Sequence, residues 1–156
     1  MIDICSITEN WAKKYKPMLH DEESNKRYFY CDGDNGFRDV LQHILPEQSP
    51  SVMVDSEVIG GINPRSYARE YTIYFAVRCE EMGSDSSLHD ANEEAVLHAL
   101  RFYCDLYRLQ ELKKFVDFDV KIQSYNIGFD GWTSVMMMVR LSQPMNLCMD
   151  NGMYEG

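Results

Sequence analysis

Strand-like blocks lie on both sides of one long segment with helical periodicity. The strand-like blocks are residues 51–62, 66–80 and 116–141, and the helical segment is 88–115. Within 71–79, apolar residues alternate with polar or mixed ones, and this period of two predicts a strand. The order β-β-α-β-β therefore predicts a sheet covered by a helix.

The long helical segment has an unusually broad apolar face. Its main stripe and the residues that widen it are Leu88, Ala91, Ala95, Val96, Ala99, Leu100, Phe102, Tyr103, Leu106, Tyr107 and Leu109. A helix on the surface of a domain needs a narrower apolar face than this. We expect the helix to pack on a sheet and to contact a second surface as well.

The first third of the chain adds shorter elements. Apolar residues at three- and four-residue steps predict an N-terminal helix over 4–16, which Pro17 ends or kinks. We expect a short strand at 27–31, a turn at 32–36 and a short helix at 37–45.

Together these elements predict the α+β class: a mostly antiparallel sheet of about four to five strands, a long helix packed on one face and an N-terminal helix. The length of 156 residues suits a single domain, which we place at 1–142. Residues 143–156 form a C-terminal arm that is apolar but has no helical or strand period.

Apolar residues occupy both faces of the last predicted strand. Val135, Met137 and Val139 share one face, and Trp132, Met136 and Met138 share the other. The long helix would cover one face, and core packing or a neighbouring subunit would cover the other. The residues that we select for interaction with a partner are Trp132, Met136, Met138, Met145, Leu147, Met149 and Tyr154.

Charge and composition limit the class of protein. Lys and Arg total 15 against 25 Asp and Glu, which gives a net charge of −10. Proteins that bind nucleic acid generally neutralise phosphates with clustered cations, so this balance disfavours that class. We find no apolar run long enough to span a membrane and no secretory signal at the N-terminus. Five scattered cysteines without a C-x-x-C pair are expected to be reduced thiols.

Candidate chemistry is weak. His20 with the acidic residues 21–23 suits at most a weak cation site, and a solvated loop is the simpler interpretation. Residues 32–36 resemble part of a calcium loop, but the twelfth position is His43 where the loop needs Glu. His89 and His98 are nine residues apart, too far for joint metal ligation on a helix. We therefore predict no catalytic residue, no metal, no cofactor and no enzymatic activity.

The order of a Trp11-bearing N-terminal helix, a strand pair, a long helix and a strand hairpin resembles the tail terminator and tail-completion proteins of long-tailed bacteriophages. The matching strands lie around 52–62 and 71–79, the helix at 87–115 and the hairpin at 118–141. The resemblance implies a homo-oligomeric ring at the head-proximal end of a tail, for which a hexamer is one candidate size.

The same resemblance implies other tail or neck proteins as partners, with DNA passing nearby without specific binding. It also implies a place in the virion after synthesis in the cytoplasm of a host bacterium. Two alternatives stay open. One is another phage connector, baseplate or neck subunit. The other is a small ligand-binding α+β domain with a pocket beneath the long helix, lined by Tyr74, Arg78, Tyr103 and Tyr107.

Overall fold

A computed structural model describes residues 3–56, 58–80, 84–111, 117–124 and 131–144. Within these ranges the helices are α1 (Ile4–Lys14), α2 (Gly33–His43) and α3 (Asp85–Glu111), with a 3-10 turn at Pro46–Gln48. The strands are β1 (Tyr28–Cys31), β2 (Ser51–Asp55), β3 (Val58–Gly60), β4 (Ser66–Arg78), β5 (Asp117–Ser124) and β6 (Trp132–Pro144). The predicted α+β class is confirmed.

The six strands form one mixed sheet in the order β1-β2-β4-β6-β5, and β3 pairs with the first part of β4. Only β1 and β2 run parallel to each other, and every other described pair is antiparallel. The long strands β4 and β6 pair along their whole length, from Ser66 opposite Pro144 to Arg78 opposite Trp132. The sheet is thus one strand larger than predicted and, as predicted, mostly antiparallel.

One face of the sheet, here called the inner face, packs against α1 and α3. It buries alternate residues of β2, β4 and β6, including Val52, Phe75 and Met137, which are fully covered. Helix α3 contributes Ala95, Ala99, Phe102 and Leu106 to this core. The three alanines of α3 at positions 91, 95 and 99 have short side chains, which let the helix lie close to the sheet.

The opposite, outer face of the sheet is covered by α2 over one end. There Phe37 stacks on Tyr74 with ring centroids 4.0 Å apart. Their neighbours in this second core are Cys31, Leu41, Met53, Ala76 and Trp132. The domain is therefore three layers deep at this end, and its two cores are separated by the sheet.

The expected turn at 32–36 is wrong, because residues 33–36 form the first turn of α2. Asp32 is the residue before the helix and has extended backbone angles, φ −115° and ψ 92°. A Cβ placed on Gly36 would lie 3.4 Å from the Cβ of Cys31, so the first turn of the helix packs beside the end of β1 and still has room for a methyl group. Small polar residues that favour turns are also accepted at a helix start, which is why the pattern misled.

The long helix begins earlier than predicted. It starts at Asp85 rather than Leu88. Ser84 caps it, since its Oγ accepts a hydrogen bond from the backbone N–H of Ser87 at 3.3 Å. Gly61, with φ +60°, follows β3 and begins the connection to β4. Among the described helices, none is sufficiently long and apolar to cross a membrane.

Candidate functional site

The structure places three of the residues selected for interaction. Trp132 is 1% exposed and packs in the second core, so α2 of its own chain covers it. Met136 is partly buried against the same cluster, and Met138 is half-buried beyond it on the outer face. The other four, Met145, Leu147, Met149 and Tyr154, lie outside the described residues, as does the arm after Pro144.

Beyond α2, none of the described helices covers the outer face of the sheet. Met138 lies opposite Thr72 on β4, and the next outer pair is Glu70 with Arg140, whose side chains are 3.7 Å apart. Lys121 of β5 also faces outward beside Met138 and is exposed. Of the three described interaction residues, only Met138 lies where a neighbouring subunit has access to the sheet.

The residues proposed for a ligand pocket are not brought together. Tyr74 lies on the outer face of the sheet under Phe37. Tyr103 packs against the inner core from α3, so the sheet lies between the two rings. Arg78 lines a separate polar cavity with Ser49 and Ser84. A pocket built from these residues is therefore ruled out in this fold.

A different groove of about 650 Å³ runs between α1 and α3. Its floor is apolar and aromatic, with Trp11 and Phe102 in an edge-to-face contact 5.1 Å between ring centroids. Four exposed cations line its rim, namely Lys14, Lys16, Arg101 and Arg108. The only carboxylate among its described lining residues is Asp105, which accepts a hydrogen bond from the Trp11 indole N–H at 2.9 Å.

A chain of polar contacts fastens α1 to α3 beside this groove. Tyr15 Oη lies 2.5 Å from Nδ1 of the buried His98, and His98 Nε2 lies 3.4 Å from a carboxylate oxygen of Glu94. With the ring proton on Nε2, the Tyr15 hydroxyl donates to Nδ1 and the ring donates to Glu94. Burial raises the pKa of Tyr15 and lowers the pKa of His98. Both groups are thus held neutral, which favours a structural bond over proton transfer.

His20 is the best candidate metal ligand in the described ranges. Its Nε2 lies 3.8 Å from a carboxylate oxygen of Glu9 and 3.5 Å from a carboxylate oxygen of Glu22. One possible ligand atom from each of these three residues lies within 4.8 Å of the other two. The sequence pointed to His20 and its acidic neighbours but missed Glu9, which is placed here by the packing of α1.

The hydrogen bonds of the His20 ring argue against a metal. Its Nδ1 accepts from the backbone N–H groups of Arg27, at 2.9 Å, and Tyr28, at 3.2 Å. The ring proton must therefore sit on Nε2, the atom that a metal would need. Moving that proton to Nδ1 would set it against two N–H donors. The two carboxylates also have lysine partners, Lys13 for Glu9 and Lys26 for Glu22.

The outer side of α3 carries an apolar stripe. Leu97 is 45% exposed, Leu100 47% and Tyr107 45%, and the Cys104 thiol between them is also exposed. At about 100° per residue these four side chains fall within about 80° of arc. They lie on the side of α3 roughly opposite Ala95 and Leu106, which face the sheet. The helix is therefore apolar toward its own sheet and also away from it.

Charges flank this outer stripe in an ordered way. Its N-terminal half carries Asp90, Glu93 and Glu94, all exposed. Its C-terminal half carries the exposed Arg101 and Arg108, and the carboxylate of Asp105 between them is turned toward the groove, where it accepts the hydrogen bond of the Trp11 indole. The sign of the charge thus reverses along the helix, with Leu97 and Leu100 near the point of reversal.

Comparison with protein-family models gives no match for this chain, and comparison with curated protein sequences gives none either. Function is therefore inferred from the surfaces described above.

Proposed function

We propose that this protein is a self-assembling structural subunit, a tail terminator or tail-completion protein that forms a ring at the head-proximal end of a phage tail. Its place would be the virion, with other tail or neck proteins as partners. The order of elements on which the resemblance depends is present, from a Trp11-bearing α1 to the β5–β6 hairpin.

The observation that carries this proposal is the outer stripe of α3. A surface helix that packs on its own sheet normally turns polar residues to water. Here Leu97, Leu100 and Tyr107 remain nearly half exposed on the opposite side. Contiguous exposed apolar surface of this kind is typical of an interface with another protein. Assembly would remove this apolar surface from water.

The excess of acidic residues supports the same proposal. A net charge of −10 keeps unassembled subunits apart in solution. It also gives an assembled ring a surface that DNA passes without binding. The open outer face around Met138 provides a second region on which neighbours in a ring can pack.

Absolute mass by light scattering over a concentration series, with negative-stain images of the largest species, tests this function. We expect mass to rise with concentration and rings to appear. The variant L97D/L100D should lower the mass at every concentration, whereas L45D should not. Leu45 is the matched control because it is 60% exposed but lies off α3. A wild-type protein that stays monomeric throughout, alone and with tail or neck proteins, would contradict the proposal.

The α1–α3 groove favours a second candidate function, the binding of an organic anion. An aromatic floor with a cationic rim suits a ligand with a flat apolar part and a negative group. Titration with a panel of aromatic carboxylates and nucleotides, monitored by Trp11 fluorescence, tests it. Saturable binding that R101A/R108A abolishes would support this function, and an unchanged signal across the panel would exclude those ligands.

A further inference from the structure

We propose that the outer stripe of α3 binds the same stripe of a second copy, antiparallel, about a two-fold axis between Leu100 and Arg101. This inference rests on the proposed self-assembly and names its partner and geometry. It follows from the order of charges and apolar side chains along one helix.

The charge reversal along α3 decides the direction of pairing. Exposed carboxylates at Glu93 and Glu94 precede the apolar centre, and the exposed Arg101 and Arg108 accompany or follow it. Two copies side by side and parallel would place like charges together along the whole contact. Reversing one copy places the acidic half of each against the basic half of the other. A surface that complements itself in this way is the requirement for an isologous two-fold contact.

The helical rise then fixes which residues meet. At about 1.5 Å per residue, Leu97 and Cys104 each lie about 5 Å from the midpoint, on opposite sides of it. Leu97 therefore comes level with the partner subunit's Cys104, and Leu100 with the partner's Leu100. Glu93 and Arg108 each lie about 11 Å from the midpoint, so Arg108 comes level with the partner's Glu93.

The apolar centre and the charged ends then have separate roles. Leu97, Leu100 and Cys104 bury apolar surface at the middle of the contact, where water is excluded. The pair of Arg108 with the partner's Glu93 occurs twice, once at each end, and fixes the register. Arg108 has reach for this, because its side chain is 77% exposed and its contact with Asp105 of the same helix is 3.5 Å long.

A two-fold contact is complete with two copies. Growth to a ring then needs another surface, and the open outer face around Met138 lies on the far side of the sheet from α3. The α3 pair is thus either the building block of a ring or the contact between two rings. Both arrangements contain the same residue pairs, so one experiment tests the contact in either.

Disulfide trapping tests the register with the native thiol. L97C should form a covalent dimer under mild oxidation, because helices in contact lie about 8–10 Å apart and level Cα atoms come within disulfide range. The covalent dimer should not form in L97C/C104S. The two introduced thiols, one on each chain, would be separated by about 10 Å along the helix axis. The wild type, with Cys104 alone, should not cross-link for the same reason. L88C is the matched control, since Leu88 is an exposed leucine of α3 away from the stripe.

Charge reversal tests the direction. R108E should weaken the dimer about tenfold or more, because each of two attractive pairs becomes repulsive. E93R/R108E should restore the affinity to near the wild-type value, since each chain then supplies both partners in exchanged positions. Sedimentation velocity measures the dissociation constants, and circular dichroism confirms that each variant is folded.

The outcomes separate the geometry from the function. Covalent dimers of L97C that require Cys104, with rescue by the double reversal, establish the antiparallel contact. Assembly that persists in L97D/L100D, with no trapping in L97C, overturns the contact and leaves self-assembly intact through another surface. A wild-type chain that is monomeric at all concentrations overturns both.

Discussion

At the scale of single residues, one imidazole nitrogen holds the start of β1. His20 Nδ1 accepts two backbone hydrogen bonds, from Arg27 and Tyr28, and its side chain has no solvent exposure. A second proton on this ring would have to enter at Nδ1 and would displace both bonds. Burial lowers the pKa of His20, the same direction that this geometry requires.

The lowered pKa of His20 predicts that the fold weakens in mild acid. Where the folded pKa lies below the unfolded value of about 6.5, the unfolded chain binds more protons, so stability falls as pH drops through that value. We expect urea unfolding to show a loss of stability between about pH 7 and pH 5, to which His98 contributes with the same sign.

The variants H20N and H20A distinguish the role of His20 as a hydrogen-bond acceptor from its role as a titrating group. The Oδ1 atom of asparagine can replace Nδ1 as an acceptor but does not titrate. H20N should therefore be near wild type at pH 7 and show a shallower pH dependence. H20A should cost about 2–4 kcal/mol at pH 7, because the backbone N–H groups of Arg27 and Tyr28 lose their acceptor, and that of Tyr28 is buried. Equal pH slopes for wild type and H20N would show that His20 is not the titrating group.

At the scale of elements, two glycines give opposite predictions. Gly36 lies inside α2, and an added Cβ would be in ordinary contact, 3.4 Å from Cys31. G36A should stabilise the fold by about 0.5–1 kcal/mol, because alanine favours the helix. Gly61 has φ +60°, where any side chain is strained, so G61A should destabilise by about 1 kcal/mol. Urea unfolding of the two variants in parallel measures both signs, and two shifts of the same sign would contradict this assignment.

Helix α2 covers one end of the outer face of the sheet, and its contribution to stability can be measured. Phe37 is fully buried, stacks on Tyr74 and belongs to the same core as Trp132. F37A should cost about 3–5 kcal/mol. In a W11F background, the fluorescence of Trp132 should shift to the red because water reaches it. Y30A is the control, since Tyr30 is 57% exposed, and a cost for F37A below about 1 kcal/mol would mean that α2 contributes little.

Strand β4 and helices α2 and α3 show where prediction from sequence succeeded and where it failed. The alternation at 71–79 and the 3.6-residue period of α3 are local patterns that persist over many residues, and both elements are present, although α3 begins three residues earlier than predicted. The pattern around Trp132 showed apolar residues on both faces but not which segment covers each. That answer depended on α2, whose first turn has the composition of a loop.

Of the two candidate surfaces, the sequence predicts one and does not predict the other. The extra breadth of the apolar face of α3 is visible in the sequence and becomes the outer stripe. The α1–α3 groove is not visible, because Trp11 and Phe102 are far apart in the sequence and meet only through tertiary packing. Glu9 joins His20 for the same reason.

At the scale of the whole molecule, the local charge of two regions differs in sign from the net charge. The chain carries −10, yet cations collect at the rim of the α1–α3 groove and on the C-terminal half of α3. Two copies therefore repel at long range and attract where Arg108 meets the partner subunit's Glu93. These two effects act over different distances, so salt acts on them at different steps of association.

Salt dependence therefore predicts a difference between wild type and R108E. Screening weakens the long-range repulsion, which raises the association rate, and weakens the close pairs, which raises the dissociation rate. In R108E the net charge changes by −2, from −10 to −12, and the close attraction is lost. Its dimer should strengthen steadily with salt. In the wild type the faster dissociation offsets the faster association, so the affinity should change much less.

The double variant controls for net charge, because it alters the two charged positions and leaves the net charge unchanged. E93R/R108E keeps the charge at −10, because the two changes cancel, and it exchanges the positions of the close pair. Its salt dependence should match the wild type if the pair is real. Stopped-flow association and dissociation rates between about 0.05 and 0.5 M salt measure both steps across the range in which screening becomes short-ranged. If the double variant strengthened with salt as R108E does, the local pairing of Glu93 with Arg108 would be excluded, because restoring opposite charges at the two positions would then have had no effect.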